Sequence, residues 1–110
     1  SEKQCEKVLA LLHEVQKVLG QPQLHADHVI CFDQYYGAGY GDPTPQMIEA
    51  VRLAASLEGL LLDPVYSGKA FAGLLDLVRH GYFDSSERIL FLHTGGGPGL
   101  FAYSECLSEF

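Results

Sequence analysis

Three stretches combine side chains able to hold or move a proton with backbone loose enough to admit a ligand. The first is Glu58-Gly59-Leu60-Leu61-Leu62-Asp63-Pro64-Val65-Tyr66-Ser67-Gly68-Lys69-Ala70. It reads as a short apolar strand feeding a proline turn, then a helix that opens at Ser67. Tyr66 and Ser67 would sit at that opening, where orphan backbone N–H groups favour anions. The same residues also make sense as a proline turn, a serine cap and a solvated lysine. The second stretch is His93-Thr94-Gly95-Gly96-Gly97-Pro98-Gly99, a glycine-rich loop after an apolar run. Such loops let a ligand come close to the backbone at the carboxyl end of a strand, and they also serve simply as turns. The third is Tyr35-Tyr36-Gly37-Ala38-Gly39-Tyr40-Gly41-Asp42-Pro43. A tyrosine in a glycine loop can gate a site or take part in proton transfer, or it can be a packing handle.

Other chemistries find less support. The glycine loop is neither GxGxxG nor a phosphate loop of the Walker type, because no Lys-Ser/Thr follows. A GxSxG nucleophile elbow is absent. His25 and His28 flank Asp27, but no Cys/His set at zinc spacing accompanies them, so no metal site is expected. Asp63 and Asp76 stand apart in sequence and read as caps or solvated residues, not an acid/base pair.

These loops need elements to hold them. Val8, Leu11, Leu12, Val15, Val18 and Leu19 recur at spacings of three and four, the stripe of an amphipathic helix that Gly20 and Pro22 end. Val29 to Phe32 is apolar on both faces of a strand, as in a parallel sheet covered by helices. Residues 34–43 read as a loop. Thr44-Pro45 restarts a helix, threonine as cap and proline at the first helical position, and it runs to Gly59. A third helix carries Ala70, Phe71, Leu74, Leu75 and Val78 and closes at Gly81. Ile89 to Leu92 is a second strand apolar on both faces. The order predicts an α/β fold: a partial parallel sheet flanked by helices, with right-handed crossovers. Two such strands want neighbours, since sheets usually hold about 4–6 strands. The chain therefore reads as part of a larger sheet, one segment over 1–110 with no internal boundary.

The 110 residues carry 7 Lys plus Arg against 14 Asp plus Glu, a formal charge of −7. That balance speaks against nucleic acid and against an anionic membrane surface. The three cysteines, Cys5, Cys31 and Cys106, form no evident disulfide framework, which suggests a reducing cytoplasm. No stretch reads as a signal peptide or membrane span.

Taken together, GYGDPTPQMIEAVRLAASLEGLLLDPVYSGKAFAGLLDLVRHGYF and ILFLHTGGGPGLFAY, spanning 39–103, resemble the C-terminal part of the D-cysteine desulfhydrase and 1-aminocyclopropane-1-carboxylate deaminase family. That family includes L-cysteate sulfo-lyase. The resemblance implies a tryptophan-synthase-β-like, fold type II enzyme dependent on pyridoxal 5'-phosphate (PLP). The chain would be the C-terminal segment of its large cofactor-binding domain. The lysine that holds the cofactor, and the main phosphate-cradling loop, would belong to a missing N-terminal portion. Lys69 is then a structural residue, and this chain alone should not catalyse.

Residue by residue, the resemblance makes Tyr40 and Tyr66 catalytic, and Thr94, Ser67 and Gly95 cofactor-binding. The deaminases carry glutamate after the second tyrosine and leucine in the later HxGG motif. Ser67 and Thr94 instead side with the desulfhydrases. A hydroxyl opposite the ring nitrogen strengthens the electron sink much less than a carboxylate does, which suits α,β-elimination. The expected reaction turns D-cysteine into pyruvate, sulfide and ammonia, in a cytoplasmic enzyme that is a homodimer when intact. The deaminase, the sulfo-lyase and a non-catalytic stand-alone domain are the alternatives.

Overall fold

A computed structural model describes residues 2–108. It falls into two compact units, residues 1–33 and 34–110.

In the first unit α1 spans Glu2–Leu19, and Gly20 beyond it takes a left-handed φ of 64°. The chain then folds back on the helix through one side chain. The Gln16 amide donates to Pro22 O at 2.6 Å and accepts from Leu24 N–H at 3.1 Å, so both ends of a buried polar group are satisfied. A short 3-10 helix, Ala26–His28, follows.

In the second unit α2 spans Pro45–Glu58 and α3 spans Ser67–Arg79. Thr44 caps α2 by accepting from Met47 N–H at 3.2 Å, and Gly59 closes it at a left-handed φ of 67°. Met47, Val51, Ala54 and Leu62 form the core, with Ile48, Phe71, Phe91, Leu100 and Leu107 packed around them. Gly68 sets how near α3 comes: a Cβ there would lie 2.7 Å from Asp63 O and 2.8 Å from a Val51 methyl. A 3-10 helix over Gly97–Tyr103 and the short α4, Ser104–Ser108, end the described chain. Arg52 ties α4 to α2 with a bond to Leu107 O at 3.2 Å.

The expected sheet is not seen: no hydrogen-bonded strand occurs among the described residues. The segments 29–32, 60–62 and 89–92 run without ladder partners. Leu90 and Leu92 are 91% and 77% exposed, although their types suit burial. A strand exists only with a neighbour whose N–H and C=O groups match its own, and apolar pattern alone does not supply one.

Candidate active site

Asp63 organises the turn that leads into α3. Its carboxylate accepts from the N–H groups of Val65, Tyr66 and Ser67 at 2.9, 2.7 and 2.8 Å, and from the Ser67 hydroxyl at 2.5 Å. The Ser67 hydroxyl in turn accepts from Asp63 N–H at 2.8 Å. Burial alone would push this carboxyl up. The bonds from the Ser67 hydroxyl and from the Ser67, Tyr66 and Val65 amides outweigh it, and hold the group below the ordinary carboxylate range. Ser67 does not act as the expected cap: its hydroxyl is turned back onto Asp63, whose carboxylate takes the Ser67 N–H at the start of the helix. Asp63 is a buried cap, not a solvated one.

Fixing three successive amides also fixes where Tyr66 points. Its hydroxyl lies 2.6 Å from that of Tyr40, with the two rings edge to face at 5.8 Å. Both tyrosines are exposed, Tyr66 at 62% and Tyr40 at 81%. The bond to Tyr40 is the chief reason the Tyr66 phenol is pushed above its usual value, followed by loss of water.

The loop is held on both sides of Tyr40. On one side Gly39 O accepts from Lys69 Nζ at 3.2 Å, and Tyr36 O accepts from the same ammonium at 2.5 Å. On the other, Gly41 O accepts from the Tyr103 hydroxyl at 2.7 Å. Lys69 is therefore buried, contrary to the solvated lysine that the sequence allowed. Its acceptors lie about thirty residues away along the chain, where no local pattern could announce them. Tyr35 donates to Asp76 at 2.7 Å and packs on Gly73, so it belongs to the scaffold beneath the loop.

The glycine loop meets the Asp63 turn directly. His93 Nε2 lies 3.1 Å from Leu61 O, and a Cβ on Gly96 would fall 2.8 Å from Asp63 Cβ. Gly95 and Gly96 both hold positive φ, 99° and 89°. Thr94 and Gly95 are exposed between these two anchor points, and a side chain on Gly95 would meet open space. Of the five residues singled out in the sequence, the fold thus joins Tyr40 to Tyr66, Tyr66 to Ser67 through Asp63, and the Thr94-Gly95 loop to the same turn. Ser67 differs from the rest in being buried, with its hydroxyl engaged by Asp63. The sequence offered Asp63 as a cap and Lys69 as structural without naming what either holds, and it missed Tyr103. Only Asp63 left a signal, an Asp-Pro followed three residues later by a helix start. No three His, Cys, Asp or Glu residues converge on a metal position among the described residues.

This donor set suits one side of a PLP site. Exposed phenols and a threonine hydroxyl can hydrogen-bond a pyridine nitrogen or a substrate carboxylate, and a side-chain-free loop permits close backbone approach. Lys69, the one lysine in the sequence of residues 34–110, is buried and bonded to two carbonyls, so it is not placed to hold the cofactor.

Comparison with known proteins agrees. Residues 2–95 match the family described as pyridoxal-phosphate dependent enzyme. D-cysteine desulfhydrases from Salmonella newport and Salmonella heidelberg are 52% identical over 101 residues, which is 91% of this chain and 30% of each relative. A crystal structure described as an ACC deaminase homologue superposes with a TM-score of 0.71 at 37% identity, covering 98% of this chain and 32% of that one. The chain thus spans about 30% of the length of the curated relatives it matches, and its backbone is that of the corresponding part of a fold type II enzyme. It belongs to the family of pyridoxal-phosphate dependent enzymes.

Proposed function

We propose that this chain forms one wall of the active site of a PLP-dependent D-cysteine desulfhydrase, which with water converts D-cysteine into pyruvate, hydrogen sulfide and ammonia. The single observation that carries the reading is the Tyr40–Tyr66 pair, two phenols from different loops brought to 2.6 Å and left open at the surface. The cofactor, when bound, supplies the electron sink for loss of the β-substituent. Tyr66 and Tyr40 hold a proton between their oxygens, so one can donate while the other accepts. The Thr94 hydroxyl would bond the pyridine nitrogen, and the Gly95 backbone, free of a side chain, would let the group come close. Ser67 stands beside them and acts through Asp63 by holding the turn.

In the intact enzyme the apolar segments 29–32, 60–62 and 89–92 join a parallel sheet completed by the rest of the protein. The exposure of Leu90 and Leu92 supports this, since two large aliphatic side chains together represent a few kcal/mol of burial, at about 1.5–3 kcal/mol each. The same enzyme is read as a cytoplasmic homodimer. No helix among the described residues is long and apolar enough to cross a membrane.

The test is to assay the full-length enzyme with D-cysteine and with aminocyclopropane carboxylate. Equimolar sulfide and pyruvate from the first, with little ammonia from the second, is expected. Turnover of the second substrate alone would replace the reading with the deaminase one, which the homologue at TM-score 0.71 keeps as the second choice. Sedimentation of the same protein checks the dimer.

A further inference from the structure

Lys69 occupies a place where a cation is doubly disfavoured. It lies in the first turn of α3, where the helix dipole is positive, and it is only 6% exposed. A buried ammonium needs acceptors, and it finds them in the carbonyls of Tyr36 and Gly39. The loop is wound closely around it. Gly37 takes a φ of 79°, and a Cβ there would lie 2.6 Å from a Thr44 methyl and 3.8 Å from Nζ. Gly39 O belongs to the peptide that joins Gly39 to Tyr40, so the ammonium restrains the backbone at the residue that carries the phenol.

We propose that Lys69 is a positioning residue for Tyr40, fixing the 36–40 loop so that the Tyr40 hydroxyl meets that of Tyr66. The assignment rests on the desulfhydrase reading, and on Tyr40 taking part in it. Without the ammonium two carbonyls lose their donor, the loop relaxes, and the phenol pair opens. Arginine at this position keeps the charge but replaces a compact donor with a wider planar fork, so it should restore the loop only in part.

The experiment is a double-mutant cycle in the full-length holoenzyme, reading kcat/KM on D-cysteine for Lys69→Met, Tyr40→Phe and the two combined. Each single change is expected to lower kcat/KM about 10- to 100-fold, the scale of a misplaced group, and the double variant should be no worse than the poorer single one. Ultraviolet difference titration gives a second readout that does not depend on turnover. In Lys69→Met the phenol assigned to Tyr66, by subtraction of the Tyr66→Phe curve, should titrate at lower pH, because the Tyr40 bond is what chiefly raises it. Penalties that multiply, or an unmoved Tyr66 titration, would overturn the assignment and leave the desulfhydrase reading standing. An unchanged kcat/KM in Tyr40→Phe alone would instead remove Tyr40 from the mechanism, and the Lys69 role with it. Should Lys69→Met fail to fold, Lys69→Arg enters the same cycle: a smaller, non-additive loss supports the role, and multiplying penalties overturn it.

Discussion

Tyr66 and Tyr40 reach the same point from loops held in opposite ways. The Tyr66 turn is gathered by a buried carboxylate that collects N–H groups, and every bond to it comes from within four residues. The Tyr40 loop is gathered by a buried ammonium and a phenol that donate to carbonyls, across separations of 30, 33 and 62 residues. The first is a local motif that can form as soon as its few residues meet. The second exists only once α3 and the chain near Tyr103 are in place. The pairing of the two phenols is therefore only as good as the long-range half, and the short-range half should matter more for stability.

The sharpest way to break the comparison is Asp63→Ala. It removes the acceptor of a buried N–H group, two half-buried ones and a hydroxyl, and each bond to a charged group contributes about 1.5–3 kcal/mol. Counting non-additivity, a loss of about 3 kcal/mol or more is expected in urea unfolding of the full-length enzyme. Near-parental stability would show that the turn is held by something else. The pH dependence has a definite sign. A carboxyl depressed in the folded state contributes stability that is present above its unfolded value, about 3.9, and is lost as pH falls through the lower folded value. Asp63→Asn should therefore lose less stability than the parent does in acid below about pH 4.

Next in size is Gly96→Ala. The residue sits at φ 89°, and the added methyl would meet Asp63 Cβ at 2.8 Å. Strain of this kind costs about 1–3 kcal/mol. The change should lower both melting temperature and cofactor retention, measured by the absorbance that stays with the protein on dialysis. Lower melting without cofactor loss would place the glycine loop in the scaffold alone.

How much of this was legible follows the same division. Helix α2 was plain in Thr44-Pro45 and Gly59, and α1 and α3 in their apolar spacing, because caps and stripes are local. Tyr66 was marked by DPVYS and Tyr40 by its glycines. Legibility failed wherever a partner was distant. Lys69 looked solvated because its acceptors are in another loop. Both Ser67 and Asp63 read as possible caps, and sequence alone did not show that the Ser67 hydroxyl would turn back onto Asp63. The 3-10 turn over Gly97–Tyr103 went unread, since Gly-Pro-Gly resembles any turn. Segments 29–32 and 89–92 show the limit most clearly: their composition announces burial on both faces, but strand pairing depends on groups elsewhere.

The smallest effect expected is also the most specific. Tyr103→Phe removes one neutral hydrogen bond, to Gly41 O at 2.7 Å, and leaves the ring in place. Its stability cost should be about 1 kcal/mol, close to the average for such a bond. Its effect on turnover should be larger than that figure implies if Tyr103 restrains the loop one peptide beyond Tyr40, at Gly41–Asp42, as Lys69 restrains the peptide before it. A Gly41 side chain would lie 3.1 Å from the Tyr103 hydroxyl, so the loop and the phenol fit with little slack. The measurement is kcat and KM separately, beside melting. A fall in kcat at nearly constant stability marks Tyr103 as part of the long-range hold on Tyr40. A matched small fall in melting temperature with unchanged kcat would leave Lys69 as the sole clamp and make the loop one-sided.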